Sequence, residues 1–143
     1  MENTNKEITG LVNDILNTAN NYTENAIPLV NKLAEDFYQN PNREAWEQLT
    51  DLFEGIGWII ETLTEIDSIT NLDKIISEHE TWNEYVQIVS KLKDILPEME
   101  GALESGDNIL IGDLLLYEIT PIFEEMLTKL KFLKPRAVDQ GVN

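Results

Sequence analysis

Apolar residues recur at alternating steps of four and three along almost the whole chain, and no other feature constrains the fold as much. That spacing gathers them on one face of a helix with 3.6 residues per turn, whereas a strand would need alternation by two. No stretch combines strand alternation with turn residues at its ends. In the first segment Ile8, Val12, Ile15, Ala19, Tyr22, Ala26, Leu29 and Leu33 form the seam, which predicts one helix from about Lys6 to Tyr38. Asn40-Pro41-Asn42 interrupts it. Asn42 suits the N-cap of the next helix, because its side-chain oxygen can accept from a first-turn N–H.

The second seam, Ala45, Leu49, Leu52, Ile56, Ile59, Leu63 and Ile66, predicts a helix from about Arg43 to Ile69. Gly55 and Gly57 lie inside it. Each costs about 1 kcal/mol against alanine in a helix interior, so they mark a close approach by a neighbouring helix or a bend. The third seam, Leu72, Ile75, His79, Trp82, Val86, Val89, Leu96, Met99 and Leu103, predicts a single helix capped by Asn71. It should end at Ser105-Gly106-Asp107, where glycine suits the left-handed closing residue. The fourth helix is expected from Asp107 or Asn108 to about Leu133. Lys129, Lys131, Lys134 and Arg136 crowd its end, which favours the helix dipole, and Lys134-Pro135 stops it.

Four helices of roughly 25–33 residues joined by short connections predict an all-α fold. The expected form is an antiparallel up-down-up-down four-helix bundle with long, proline-kinked helices, spanning residues 1–134 as one domain, with 135–143 as a flexible C-terminal tail. Pro28, Pro97 and Pro121 fall inside predicted helices, and each marks a kink or a break. A break at Pro28 would give five or more helices. Ala26-Ile27-Pro28 and Ile95-Leu96-Pro97 each precede a polar loop and a further helix carrying Asp-Leu, at Asp51-Leu52 and Asp113-Leu114, so a duplicated hairpin is one reading of the chain.

The formal net charge is −17, from 10 basic and 27 acidic residues. Phosphate contacts need a basic face, and anionic membrane surfaces repel such a chain, so neither nucleic acid nor membrane is an expected partner. There is no cysteine, which excludes disulfides, thiolate metal sites and cysteine nucleophiles. The polar start, with no apolar run after it, leads us to expect a cytoplasmic protein. The abundance of Asn, Ile, Glu and Lys is what an AT-rich bacterial genome encodes.

Motifs for chemistry are missing. A carboxylate di-metal bundle needs Glu-x-x-His on two helices, but His79 is the only histidine and Ile76 stands three before it. His79 lies on its seam and is expected to be at least half-buried with a hydrogen-bond partner; a general base or pH sensor is the rival role. Gly55-Ile56-Gly57 lacks the strand-turn-helix setting of a phosphate loop. We therefore expect no catalytic residue, no metal ligand and no cofactor.

Two features point to surfaces. From Ile109 to Phe123 the fourth helix is apolar on more than one face. In a four-helix bundle no helix is fully central, so a second copy of the chain or a protein partner is expected to cover it, through Ile111, Leu115 and Ile122. Trp58 lies off its seam among Asp51, Glu54, Glu61 and Glu65. It either anchors a basic partner or fills a groove between helices. Trp82 is expected in the core, and Trp46 begins a second apolar column with Phe53 and Ile60.

The function expected from these features is a non-enzymatic helical protein–protein interaction module: an adaptor, a chaperone-like protein or a regulator. One alternative is an acidic mimic that binds a basic nucleic-acid-binding protein. The other is a small-ligand-binding or enzymatic bundle with a polar cavity around His79, Tyr22, Tyr85 or Tyr117.

Overall fold

The computed structural model describes residues 2–133, with side chains from residue 6 onward. Every regular element among them is helical: α1 (Glu2–Gln39), α2 (Arg43–Asp67), α3 (Leu72–Ile75), α4 (His79–Ser105), α5 (Asn108–Leu114), a π-helical turn (Leu115–Ile119) and α6 (Thr120–Leu133). The stop expected at Lys134-Pro135, the charge at Arg136 and the tail at 135–143 lie outside the described residues. No helix among the described residues is long and apolar enough to cross a membrane.

Local chemistry sets most of the boundaries. Asn42 Oδ1 accepts from the Ala45 N–H at 2.9 Å and starts α2. Gly106, at φ 66°, closes α4 in the left-handed region. Its N–H reaches the Leu103 carbonyl at 3.2 Å and the Asp107 N–H reaches that of Ala102 at 3.0 Å. This double closure is the Schellman arrangement. Asp107 Oδ1 then accepts from the Leu110 N–H at 3.0 Å and starts α5.

The single helix expected from Asn71 to Ser105 is instead two. Asn71 precedes α3 without a side-chain capping bond. Ile76 leaves the helical conformation (φ −107°, ψ 115°) while burying its side chain. Its N–H still bonds the Leu72 carbonyl, at 2.8 Å. The break re-aims the chain so that α4 runs on from beside the end of α2. There Trp82 is fully buried, and its indole N–H donates to Asp67 Oδ1 at 2.9 Å. The break also removes His79 from any apolar seam: it is the first residue of α4 and is exposed.

Of the kink or break expected at each proline, the break does not occur at Pro28 or Pro97. Pro28 lies inside α1 and Pro97 inside α4, both continuous, so the extra elements arise elsewhere. Pro28, Pro97 and Pro121 are all exposed. So are Glu24 and Lys93, whose carbonyls lose the donor that Pro28 and Pro97 lack. On the solvent side water can replace that donor, which keeps the helix intact. Pro121 also follows the π-turn, where the Thr120 N–H bonds the carbonyl of Leu115, five residues back. The Thr120 hydroxyl donates to the same carbonyl at 3.1 Å.

The core forms around the last helical segment. α5, the π-turn and α6 pack against both α1 and α4, while α2 packs mainly on α1 and less on α4. Trp82, Phe37 and Phe123 are the bulkiest fully buried side chains. Tyr22 meets the Phe123 ring edge-on, with centroids 6.5 Å apart, and Phe37 meets Trp46 the same way at 4.9 Å. Such edge contacts suit the ring quadrupole.

Two tyrosines of α1 lie over glycines. The Tyr22 hydroxyl sits where a β-carbon on Gly55 would stand, which is the close approach expected of that glycine. Gly57 has nothing near it. The Tyr38 ring covers Gly112, 2.8 Å from where a β-carbon would lie, and its hydroxyl donates to Asp113 Oδ1 at 2.5 Å.

Candidate functional site

Ile111 and Leu115 are buried inside the chain's own core, and Ile122 is buried too except where it meets the floor of an open cleft between α4 and α6. The physical reason is the placement of α5–α6 between α1 and α4, which uses apolar residues on several faces. What this segment leaves open is Ile109, Leu110, Tyr117 and Phe132. Trp58 is half-buried and packs sideways against the core, as a groove filler would. It still interrupts a row of exposed carboxylates on α2, Glu47, Asp51, Glu54, Glu61 and Glu65, at successive steps of four, three, seven and four. Trp46 is partly exposed, and Phe53 and Ile60 are half-buried, so their column lies at the margin of the core.

The polar residues considered for chemistry do not converge. His79 is exposed at the start of α4. Tyr85 is buried and tilted against Trp82, and burial raises its pKa. A void of about 10 Å³ beside it has room for one water at most. Tyr22 has its pKa raised by burial and then by the charge of Asp51. Tyr38 is pushed up to about 12 by burial, by its hydrogen bond to Asp113 and by the nearby Asp113 charge. Tyr117 borders an open cleft of about 350 Å³ between α4 and α6, whose rim is the mixed-charge set Lys91, Asp94, Glu98, Glu118 and Glu125. No group of acids and histidine suited to a metal ion occurs among the described residues.

A more apolar opening lies elsewhere. A groove of about 220 Å³ runs between the first half of α1 and the end of α2. Ile8, Leu11, Val12, Ile15, Ile66 and Ile69 line it, with Glu65 at its edge. Leu11 is 60% exposed. Val12 and Ile66 are buried beneath, so the groove is a continuation of the core that nothing in the described chain covers. The seam reading missed it because Leu11 is off the first seam. The signal was present all the same: Leu11 precedes Val12 and widens the apolar face on one side, and Ile69 does the same beyond Ile66.

Acids neighbour this groove on both helices: Glu65 lines it, Glu7 and Asp14 stand next in sequence to Ile8 and Ile15, and Glu61 is one turn before Glu65. Glu7 and Asp14 on α1, and Glu61 and Glu65 on α2, are exposed. None has an ion-pair partner among the described residues. No Lys or Arg occurs in 7–15 or in 61–70.

No curated protein and no solved structure matches the chain. Residues 14–129 match the family described as "Domain of unknown function (DUF8042)".

Proposed function

The chain belongs to the DUF8042 family, whose description carries no activity, and from its surface we propose a cytoplasmic, non-enzymatic interaction module that holds a protein partner in the groove between α1 and α2. Leu11 is the observation that carries this reading: a large apolar side chain, mostly in water, on an apolar groove that opens onto a finished core. Fully burying such a side chain is worth about 2 kcal/mol, so a partner that covers it gains affinity at little cost in order. The packing pairs α1 with α2, α2 with α4, α4 with α5–α6 and α5–α6 with α1 support an antiparallel up-down-up-down bundle as the rigid frame for this groove. The contact expected of Ile111, Leu115 and Ile122 thus moves to the opposite side of α1.

The carboxylate row of α2 favours a second reading, the acidic mimic of a nucleic acid, in which Glu47, Asp51 and Glu54 engage a basic groove. Affinity capture from the lysate of the source organism separates the two. The interaction module predicts a protein held by the wild-type chain and by Tyr117→Ser but lost with Leu11→Asp, and held still in high salt through the apolar floor. Capture indifferent to Leu11→Asp would sink the groove reading. Capture lost with Glu47→Gln/Asp51→Gln/Glu54→Gln, and in high salt, would favour the mimic.

A further inference from the structure

We infer that the occupant of the α1–α2 groove is a cationic amphipathic helix of another protein. The inference rests on the interaction-module reading and specifies the partner's chemistry.

The floor sets the shape. Ile8 to Ile15 spans about two helical turns, roughly 10 Å, which matches apolar side chains presented by one helix at i, i+3 or i+4, and i+7. At about 220 Å³ the groove admits a few aliphatic side chains of one helix face.

The rims set the charge. Helical spacing puts Glu7 and Asp14 on one flank and Glu61, with the lining residue Glu65, on the other; all four are exposed and without ion-pair partners among the described residues. A helix lying in the groove would bring its two polar flanks against these two acidic rims. Lysines or arginines on those flanks would be attracted from both sides. A second copy of this chain would instead set one net charge of −17 against another, with carboxylates facing carboxylates. An uncharged helix would leave the rims uncompensated. Complementarity therefore selects a basic partner, and it speeds association more than it tightens the final complex.

The test uses the full chain and a synthetic leucine–lysine peptide about five helical turns long, with its leucines on one face. Two companions are a glutamate-for-lysine version and a scrambled version of the same composition. Fluorescence anisotropy should show that the leucine–lysine peptide binds, and that raising sodium chloride from about 20 to about 300 mM weakens binding about tenfold. Leu11→Ser should weaken it about fivefold. Glu61→Gln/Glu65→Gln should weaken it about fivefold, while Glu98→Gln/Glu118→Gln, which removes the same charge from the α4–α6 side, changes it less than about twofold. Circular dichroism confirms that each variant is folded, as expected for exposed positions.

Equal weakening by the two double variants would mean diffuse charge attraction and would overturn the inference. So would equal binding of the scrambled peptide. A glutamate peptide that binds as well as the lysine one, and is lost with Leu11→Ser, would overturn the cationic partner while leaving the interaction module standing. A dimer in sedimentation that Leu11→Ser dissolves would place a second copy in the groove, and the inference would fail.

Discussion

Helix α2 and the α5–α6 segment are both rich in apolar residues, and they are used in opposite ways. All seven predicted seam residues of α2 are buried, from Ala45 to Ile66, and a row of acids faces water on its far side. α5–α6 has no such seam. It buries Ile111, Leu114, Leu115, Ile119, Ile122 and Phe123 against two neighbours at once and changes register through a π-turn midway. A peripheral helix writes its environment into a single period. A helix with two neighbours spreads its apolar residues to suit both, and the period blurs.

Four measurements would break or sharpen this contrast. Leu115→Ala, in the central segment, should cost about 4 kcal/mol in urea denaturation, and Leu49→Ala in α2 about 2 kcal/mol, because a peripheral helix can shift to close the cavity. Equal losses would show that α2 is held as tightly as the centre. Glycine to alanine should split in sign: Gly112→Ala meets the Tyr38 ring and destabilises by about 2 kcal/mol, whereas Gly57→Ala, with open space around it, stabilises by about 1 kcal/mol. A shift of thermal midpoint in the same direction for both would remove the distinction.

The third measurement concerns Tyr38, which ties α1 to α5. Its folded pKa, about 12, lies above the usual 10. Its contribution is therefore complete below pH 10 and lost as pH rises from 10 to 12. Tyr38→Phe should cost about 1 kcal/mol at neutral pH and make the alkaline loss of stability shallower. Burial raises Tyr85 in the same direction, so part of the loss should persist. An unchanged alkaline profile would show that Tyr38 and Asp113 are not coupled. The smallest effects belong to surface ion pairs. Lys129→Ala breaks the 2.8 Å pair with Glu84 and should cost about 0.5 kcal/mol, and Arg43→Ala, at the exposed start of α2, about 0.3 kcal/mol or less.

Local chemistry was the legible part of the sequence. Asn42, Gly106 and Asp107 act through their nearest neighbours, and each does what its type predicts. The break at Ile76 was not legible, because no proline or glycine announces it; it accompanies the burial of Ile76 and the pairing of Trp82 with Asp67 across it. Whether a proline breaks its helix was not legible either, for a related reason. Its cost depends on whether the orphaned carbonyl faces water, and that is a property of the assembled molecule. At the surface, Ile111, Leu115 and Ile122 were read as available because periodicity counts apolar faces but not neighbours. Leu11 was passed over because a lone off-seam leucine gains meaning only when Ile66 and Ile69 come alongside.

The tyrosines over Gly55 and Gly112 act as keys cut for single slots. A slip of one turn, about 5.4 Å, would set Tyr22 against Asp51 or Ile59, and Tyr38 against Asn108 or Leu116. Every one of those positions carries a side chain where the seated position has none. α1 therefore fixes the longitudinal alignment of the molecule twice, once toward α2 and once toward α5. The two settings check each other, since both tyrosines ride on the same rod. The groove's two walls, α1 and α2, are thus held in one relative alignment, and the offset between the acids along each wall is set by the fold itself.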